Sequence, residues 1–318
     1  MVTQVQTPAL AAVGKRRRVP MGRRDRREAI AFYLFASPWI IGFFVFSLGP
    51  ILAAIYFSFT DLQVLNLKNG LPNLIGLQNY QDMLNDNTFW YSLKATAIFT
   101  FGGLAINTVV AILLAQLLNQ HIPGLRFFRT VYYMPTVIAG VAAGYIWLFM
   151  LRTNDGFFNG ILGAIHIQGP DWLGSTTAAP AALLLYNVWY VGQSMVIYLA
   201  AIQGVPTSLY EAASLDGAGA IRRMINVTLP MISPVILFNL VIGLIGQLQS
   251  FIPAFIISQG GPHYSTWLYG FGIYQEAFDY QHGGTAAAWS VTLFLISIVL
   301  TVGLFAGASR FVHYQEGR

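Results

Sequence analysis

Residues 206–230 read PTSLYEAASLDGAGAIRRMINVTLP and join two long apolar segments of the chain. Ser208 precedes Glu211 by three positions, which is the spacing of a capping box, so this pair is expected to close the start of a short helix. Ala212 and Ala213 follow directly and favour its continuation. The first half of the stretch therefore predicts a helix that opens at Ser208.

Glycine and proline divide the second half of the stretch. Gly217 and Gly219 permit a helix stop and a sharp turn, because glycine adopts the left-handed conformation that ends many helices. A second helix is expected to run from there toward Pro230, whose fixed φ suits the first turn of the next apolar segment. The local prediction is a helix, a glycine turn and a second helix.

Apolar runs long enough to cross a membrane lie on both sides of this stretch. A helix needs about 20 mostly apolar residues to cross the hydrocarbon core, and six runs meet that length. They lie near residues 30–59, 91–118, 128–150, 178–202, 229–258 and 286–309. Prolines inside several of them are common in membrane helices, where neighbouring helices restrain the distorted backbone. The sequence predicts an all-α, polytopic membrane protein with six transmembrane helices.

The composition of the 318 residues agrees with a lipid environment. Hydrophobic residues make up 56% and charged residues 9%, whereas soluble domains carry about 25% charged residues. So few charges cannot cover a water-soluble surface, which disfavours a soluble enzyme, a disordered tail and a fibrous protein. The sequence contains no cysteine, so a disulfide framework and a thiolate metal site are excluded.

The basic residues indicate an orientation. Fourteen of the 17 fall on one side of the predicted spans: the eight between Lys15 and Arg27, then Arg126, Arg129, Arg222, Arg223, Arg310 and Arg318. The other three are Lys68, Lys94 and Arg152. The positive-inside rule predicts that both termini are cytoplasmic. It places three loop segments outside, near 60–90, 151–177 and 259–285.

Several common chemistries lack their residues in this sequence. None of the three lysines stands in a phosphate-binding loop, and the five histidines are scattered without metal-ligand spacing. We therefore expect no metal or cofactor to be bound by this chain. Between their ends the apolar runs also lack Asp, Glu, Arg and His, which ion-coupled transporters usually place at membrane depth. Any transport is expected to be driven by another component.

Polar residues recur on one helical face in two of the apolar runs. They are Asn239, Gly243, Gln247 and Ser250 in the fifth run, and Asn187, Tyr190, Ser194 and Tyr198 in the fourth. A polar group in lipid costs free energy unless it finds a partner. These faces either line a pathway for a polar substrate or join helices by hydrogen bonds. The sequence leaves both roles open.

The stretch that opens this section also forms a pattern as a set. The pattern is Glu-Ala-Ala, three residues, Gly, nine residues, an aliphatic residue, one residue and Leu-Pro. It is matched by Glu211, Ala212, Ala213, Gly217, Val227, Leu229 and Pro230. It resembles the EAA loop of the permease subunits of binding-protein-dependent ABC importers, in their sugar-permease branch, and residues 76–80 and 260–266 are similar to further motifs of that branch. We call residues 203–230 the EAA loop.

The resemblance implies a fold and an assembly. The fold would be the type I permease fold of ABC importers, in the inner membrane of a bacterium or archaeon. The partners would be a second homologous permease, two copies of a cytoplasmic ABC ATPase and an extracytoplasmic solute-binding protein. ATP and Mg would be used by the ATPase, so this chain would be a transport subunit and not an enzyme. Contact with the ATPase is implied for Glu211, Ala212, Ala213, Asp216, Gly217, Ala218, Met224, Leu229 and Pro230.

The resemblance also implies a domain organisation and a substrate. Residues 1–29 would be a basic cytoplasmic tail, 30–312 the permease domain and 313–318 a cytoplasmic C-terminal tail. Counting back from the Gly-Gly-Pro at 260–262 places Gln247 and Ser250 at sugar-contact positions of maltose-type permeases.

The predicted polar faces carry no cation, which favours a neutral sugar or oligosaccharide, since a phosphorylated or anionic substrate would attract Arg or Lys. One alternative is an ABC permease for glycerol phosphate or another polyol derivative. An ion-coupled secondary carrier is a second alternative, and a membrane-embedded enzyme is a third.

Overall fold

The computed structural model describes residues 23–65, 72–120 and 123–308. Among them the secondary structure is helical, with two isolated bridges, Thr60 to Leu74 and Gln63 to His282. The helices are α1 (Arg23–Phe43), α2 (Gly49–Phe57), α3 (Gln78–Asn85), α4 (Asn87–Leu118), α5 (Leu125–Tyr133), α6 (Gly140–Met150), α7 (Phe157–Ala164), α8 (Ala178–Trp189), α9 (Val191–Gln203), α10 (Thr207–Leu215), α11 (Ala220–Arg223), α12 (Leu229–Leu248), α13 (Tyr269–Tyr274) and α14 (Gly283–Ala308). Residues 1–22 of the predicted N-terminal tail (1–29), the whole predicted C-terminal tail (313–318) and Lys68 lie outside the described residues. The all-α prediction is confirmed.

The chain divides into two units, residues 1–53 and 54–318. The described part of the first unit comprises α1, the π-helical segment Phe44–Leu48 and the start of α2. Its helix begins inside the predicted basic tail. Large apolar side chains on it are exposed, with Phe35 at 83% and Phe46 at 81%. An exposed apolar surface of this kind suits lipid or another membrane helix.

Six candidate spans are present in the described residues when each bent pair of helices counts as one. Four continuous helices are long and apolar enough to cross a membrane, and they are Arg26–Phe57, Asn87–Leu118, Ala220–Leu248 and Gly283–Ala308. The pairs α5 with α6 and α8 with α9 supply the other two. The prediction of six spans is confirmed.

The third and fourth spans are broken helices. The segment from α5 meets α6 at 103°, and α8 meets α9 at 47°. The first break follows Pro135, which removes a backbone donor, and its residues Ile138 and Ala139 have extended ψ angles. The second break is the single residue Tyr190. These apolar runs therefore form spans without forming continuous helices.

The fifth span begins and ends earlier than its predicted limits. Its helix runs from Ala220 to Leu248 and contains a π-helical segment, Met224–Thr228. The Leu229 N–H bonds back five residues to the Met224 carbonyl, and this wider turn lets the helix pass Pro230, which has no N–H to donate. The expected separate helix before Pro230 is therefore wrong, because the π segment joins it to the span.

The helix α4 is central to the second unit. It packs against α8, α9, α12 and α13, while α5 packs against α9 and α6 packs against a further π segment, Pro253–Ser258. One apolar cluster, which includes the buried Met195, Tyr198 and Ile232, supports the EAA loop. Another includes Phe89 and Trp289 near the start of α4. Side chains of α4, α8, α9 and α12 also surround a polar pocket.

Candidate functional site

The polar pocket has a volume of about 380 Å³. All seven predicted pathway residues line it: Asn187, Tyr190, Ser194, Asn239, Gly243, Gln247 and Ser250. Tyr198, the fourth member of the predicted face on the fourth run, lines it as well. The two polar faces inferred from helical spacing therefore meet around one space.

The amide of Gln247 joins three helices at the wall of this pocket. We orient the Gln247 amide so that both its nitrogen and its oxygen have hydrogen-bond partners. The nitrogen then donates to the backbone carbonyls of Phe99 at 3.1 Å and Thr100 at 3.0 Å. Its oxygen accepts a hydrogen bond from Asn187 Nδ2 at 3.3 Å. Gln247 thus has the helix-joining role that the sequence had left open. Asn187 keeps its own Oδ1 available for a further partner.

Gly103 makes this network possible. A Cβ atom at Gly103 would lie 2.6 Å from the terminal amide of Gln247 and 2.9 Å from Asn187 Nδ2, which is closer than non-bonded atoms approach. The glycine lets both amides lie against the backbone of α4. Sequence reasoning missed this residue, because the Gly102-Gly103 pair in an apolar run carries no signal of what packs against it.

Other polar groups of the pocket remain free to meet a ligand. Asn239 donates from Nδ2 to the Val235 carbonyl at 3.2 Å, which leaves its Oδ1 available. In the part of the chain that the structure describes, the hydroxyls of Ser194 and Ser250 have no hydrogen-bond partner. The pocket therefore presents carbonyl and hydroxyl oxygens in a largely apolar bundle.

Three polar residues of the pocket were not predicted. Asn107 and Thr108 come from α4, and Gln193 comes from the start of α9. The signal for Asn107 was present, since it is an amide in the middle of the apolar run 91–118. Among the residues that line this pocket in the described chain, none carries a charge.

The helix α10 begins two residues earlier than the capping-box prediction required, because its N-cap residue is Pro206 and not Ser208. The helix α10 starts at Thr207, and Pro206 occupies the N-cap position without a side-chain hydrogen bond. Ser208 already lies inside the helix, so its hydroxyl does not cap the end. The predicted capping box of Ser208 and Glu211 is wrong, because the extended Pro206, with φ −57° and ψ 130°, sets the start of the helix.

The predicted glycine turn is present. Gly217 has φ +73° and follows the last helical residues of α10. The Ala218 N–H donates to the Ala213 carbonyl at 2.9 Å, and the Gly217 N–H donates to the Ser214 carbonyl at 3.0 Å. This is the hydrogen-bond pattern of a Schellman motif. No atom lies within 4 Å of a Cβ built on Gly217, so the glycine is needed for its conformation and not for space.

Two side-chain bonds hold α10 against the next helix. The Tyr210 hydroxyl is 3.0 Å from the hydroxyl of Thr228, which is fully buried, and Arg223 donates to Ser214 at 3.2 Å. Neither pair was predicted.

The residues predicted to contact the ATPase divide into two groups. Met224 and Leu229 pack against the apolar cluster beneath the loop. The other seven are exposed or partly exposed: Glu211, Ala212, Ala213, Asp216, Gly217, Ala218 and Pro230.

Two apolar side chains of the EAA loop point into solvent. Leu215 is 90% exposed and Ile221 is 77% exposed. They flank the Gly217 turn, and sequence reasoning did not select them as contact residues. Exposed large apolar residues beside a rigid turn are typical of a surface that another protein covers.

The loop between α6 and α8 is ordered by its own hydrogen bonds. Trp172 Nε1 donates to Asn159 Oδ1 at 2.7 Å, and Asn159 Nδ2 donates to the carbonyls of Thr153 and Pro170. The pKa of Asp171 is lowered because Thr153 donates a hydrogen bond to its carboxylate, as does the Gly174 N–H. Trp172 therefore has a specific structural partner, the side chain of Asn159.

A second pocket, at the end of the second unit formed by α3 and the start of α14, is acidic. Asp61, Asp82, Asp86 and Glu276 line it together with His282. Burial raises the pKa of Glu276, while the hydrogen bond with His282 Nδ1 at 3.1 Å opposes that rise. No group of three or more side chains with metal-binding geometry occurs among the described residues.

Known proteins resemble this chain over most of its length. Residues 107–310 match the model of a family described as binding-protein-dependent transport system inner membrane component. The probable ABC transporter permease protein YesP of Bacillus subtilis is 37% identical, covering 92% of this chain and 95% of that protein. The probable starch degradation products permease AmyD of Thermoanaerobacterium thermosulfurigenes is 34% identical, with coverages of 87% and 93%.

Two further similarities concern a relative and a solved structure. The sn-glycerol-3-phosphate permease UgpA of Salmonella typhimurium is 30% identical, covering 89% of this chain and 95% of that protein. A crystal structure of a bacterial ABC transporter that imports the acidic polysaccharide alginate contains a chain with a TM-score of 0.78. Its sequence is 22% identical, and the match covers 91% of this chain and 99% of that one. The fold is therefore shared with that importer chain.

Proposed function

Because the chain belongs to the family of binding-protein-dependent transport system inner membrane components, we propose that it forms half of the translocation pathway of an ATP-driven importer of a neutral sugar or oligosaccharide. Members of this family are ABC transporter permeases of the inner membrane, so the chain is a transport subunit and not an enzyme. The observation that carries the sugar assignment is the uncharged polar pocket between α4, α8, α9 and α12.

The chemistry of the pocket supports a neutral, hydroxyl-rich substrate. Its free groups are amide oxygens and serine hydroxyls, such as Asn239 Oδ1 and Ser194 Oγ, and aromatic rings stand beside them. Such groups exchange hydrogen bonds with sugar hydroxyls and give an apolar ring face a surface to pack on. A phosphate or carboxylate would instead need a cation, and the lining residues supply none.

The names of the relatives leave a second substrate class open. AmyD is named for starch degradation products and UgpA for sn-glycerol-3-phosphate, and the fold match comes from an alginate importer. The uncharged lining of the pocket favours a neutral substrate, such as a starch degradation product, over sn-glycerol 3-phosphate and over the acidic alginate.

The EAA loop is proposed as the docking surface for a cytoplasmic ABC ATPase, two copies of which would use ATP and Mg. Its rigid Gly217 turn presents Leu215 and Ile221 to a partner, with Glu211 and Asp216 beside them. A second homologous permease would complete the pathway, and an extracytoplasmic binding protein would deliver the sugar. The latter partner is supported by the alginate importer, which was crystallised with its periplasmic binding protein.

Uptake by proteoliposomes that contain the four kinds of subunit tests this function. Maltotriose, sn-glycerol 3-phosphate and an alginate trisaccharide serve as neutral, phosphorylated and acidic probes, each with a binding protein that carries it. We expect uptake of the neutral probe alone, and only with ATP. Uptake of the phosphorylated probe would support the polyol-phosphate alternative, and uptake without the ATPase would support an ion-coupled carrier.

Asn187→Leu is expected to reduce uptake about 5- to 150-fold, because a hydrogen bond worth about 1–3 kcal/mol is lost with the substrate. Gln247→Leu should reduce uptake and also lower the thermal stability of the complex, since Gln247 joins α12 to α4. Uptake and ATP hydrolysis are measured on the same preparation, and hydrolysis should survive at least in part.

Ser290→Ala is the control, because it removes a hydroxyl from α14 that bonds within its own helix and does not line the pocket. It should match the parent. Unimpaired uptake by the Asn187→Leu, Gln247→Leu double variant would remove both residues from the pathway.

The proposed orientation is tested by single cysteines in this cysteine-free chain. Tyr280 is exposed between α13 and α14, and Gly219 is exposed in the EAA loop with a φ of −67° that any residue adopts. A membrane-impermeant maleimide should label Tyr280→Cys in intact cells and Gly219→Cys only after permeabilisation. The reverse pattern would invert the topology.

A further inference from the structure

A third pocket lies where α4 ends and α5 begins. It has a volume of about 980 Å³ and is closed on its other side by the end of α9 and the start of α10. It shares Gln203, Val205, Thr207 and Tyr210 with the EAA loop but has no residue in common with the polar pocket. Its polar lining includes Asn119, Gln120, Gln203, Arg126 and Arg129.

The two arginines of this pocket lack anionic partners. Arg129 donates from Nη2 to the Leu118 carbonyl at 2.7 Å, and its Nε is buried without a hydrogen bond. The guanidinium of Arg126 has neither a hydrogen bond nor an ion pair within the described residues, although its backbone carbonyl accepts a hydrogen bond from Thr130. No carboxylate lines the pocket in that part of the chain. Two guanidinium groups held this close to a partly buried space favour an anion between them.

The surroundings of the pocket indicate what kind of anion fits. The apolar run of α4 ends at Leu118, so the pocket lies at the level where the membrane interior gives way to polar chain. On α5, Phe127 and Phe128 are exposed beside Arg126. Aromatic side chains next to basic residues at this level are typical of the membrane interface. Neither ring lines the pocket, but Leu125, Ile202 and Val205 do, so a ligand here meets both cations and apolar side chains.

We propose that this pocket binds the head group of an anionic phospholipid. Its phosphate would lie between Arg126 and Arg129, the amides of Asn119 and Gln203 would bond the rest of the head group, and the acyl chains would leave the pocket past Leu125 into the membrane. Basic pockets between membrane helices are known to take such head groups. An acidic segment of the ATPase would satisfy the arginines but would not use the apolar lining, so lipid fits the site better.

Native mass spectrometry of the purified assembly with added phosphatidylglycerol or phosphatidylcholine tests the proposal. The parent protein should hold phosphatidylglycerol at least about tenfold more tightly than phosphatidylcholine. In the Arg126→Gln, Arg129→Gln double variant this preference should disappear. Arg152→Gln is the matched control, since Arg152 lies at the other end of the bundle and pairs with Asp155, and it should keep the preference.

The single variant Arg126→Gln separates a binding effect from a folding defect, because the guanidinium of Arg126 has no hydrogen-bond partner to lose in the described residues. It should weaken phosphatidylglycerol binding at least about threefold while the thermal midpoint stays that of the parent. Equal binding of the two lipids by the parent would overturn the proposal. So would complete displacement of phosphatidylglycerol by inorganic phosphate, which would make the site one for a soluble anion. Loss of ATPase association in Arg126→Gln with unchanged lipid binding would assign the pocket to the ATPase instead.

Discussion

Valine at Gly217 should reduce sugar-stimulated ATP hydrolysis and uptake at least about tenfold while the membrane helices still assemble. Gly217 has φ +73°, a conformation that costs other residues about 1–2 kcal/mol, and a β-branched side chain adopts it least readily. The Schellman bonds from Gly217 and Ala218 would then be strained or lost. Since no atom lies within 4 Å of the added Cβ, the effect acts through the backbone of the turn alone.

Gly217→Asn is the matched control, because asparagine tolerates the left-handed conformation. It should retain most of the activity. Pull-down of the ATPase, hydrolysis and uptake are measured together on each variant. If valine leaves all three unchanged, the loop is a passive linker and the coupling proposal fails. If asparagine is as damaging as valine, the glycine serves close contact with the partner and not the turn.

Alanine at Gly192 is expected to impair assembly of the subunit strongly. Its Cβ would overlap the Tyr132 carbonyl oxygen and would lie 2.8 Å from the Tyr133 Cα. Both are backbone atoms, so no side chain can rotate out of the way and α5 must move away from α9. Overpacking of this kind costs about 1–3 kcal/mol or more. The yield of monodisperse complex and its thermal midpoint should both fall.

Gly303→Ala provides the comparison for that variant. Gly303 lies within α14, and no atom lies within 4 Å of an added Cβ, so alanine should leave stability unchanged or raise it by up to about 1 kcal/mol. A parent-like midpoint for Gly192→Ala would show that α5 and α9 do not cross this closely in the membrane.

Helical periodicity predicted several residues that line the pocket, because the spacing of residues along one helix determines which side chains share a face. Asn239, Gln247 and Ser250 share a face by spacing alone, and a polar face in lipid must meet another one. The contribution of α4 was missed, since the adjacent pair Asn107 and Thr108 does not make a face. The hydrogen bonds from Gln247 to the α4 backbone could not be predicted either, because they depend on the space that Gly103 leaves on a different helix.

The helix breaks were harder to predict, because tertiary packing sets them. Pro135 marks one break, yet membrane helices often pass a proline without breaking, as this chain does at Pro234. Nothing in the local sequence distinguishes Tyr190 as a break. That bend is next to Gly192, where the backbone of α5 presses against α9. The capping-box prediction failed for a local reason, since Pro206 is the N-cap residue two positions before Ser208.

The continuous helix from Ala220 to Leu248 has a mechanical consequence for the subunit. At 1.5 Å per residue it is a rod about 40 Å long, rooted in the EAA loop and reaching the pocket beside Gln247. A tilt or roll applied at Ala220 arrives at Gln247 with no flexible joint long enough to absorb it. The neighbouring span can pivot at Tyr190. If the EAA loop docks an ATPase as proposed, a small displacement of this loop would therefore change the shape of the pocket, with Tyr190 as the bending point of the opposite wall.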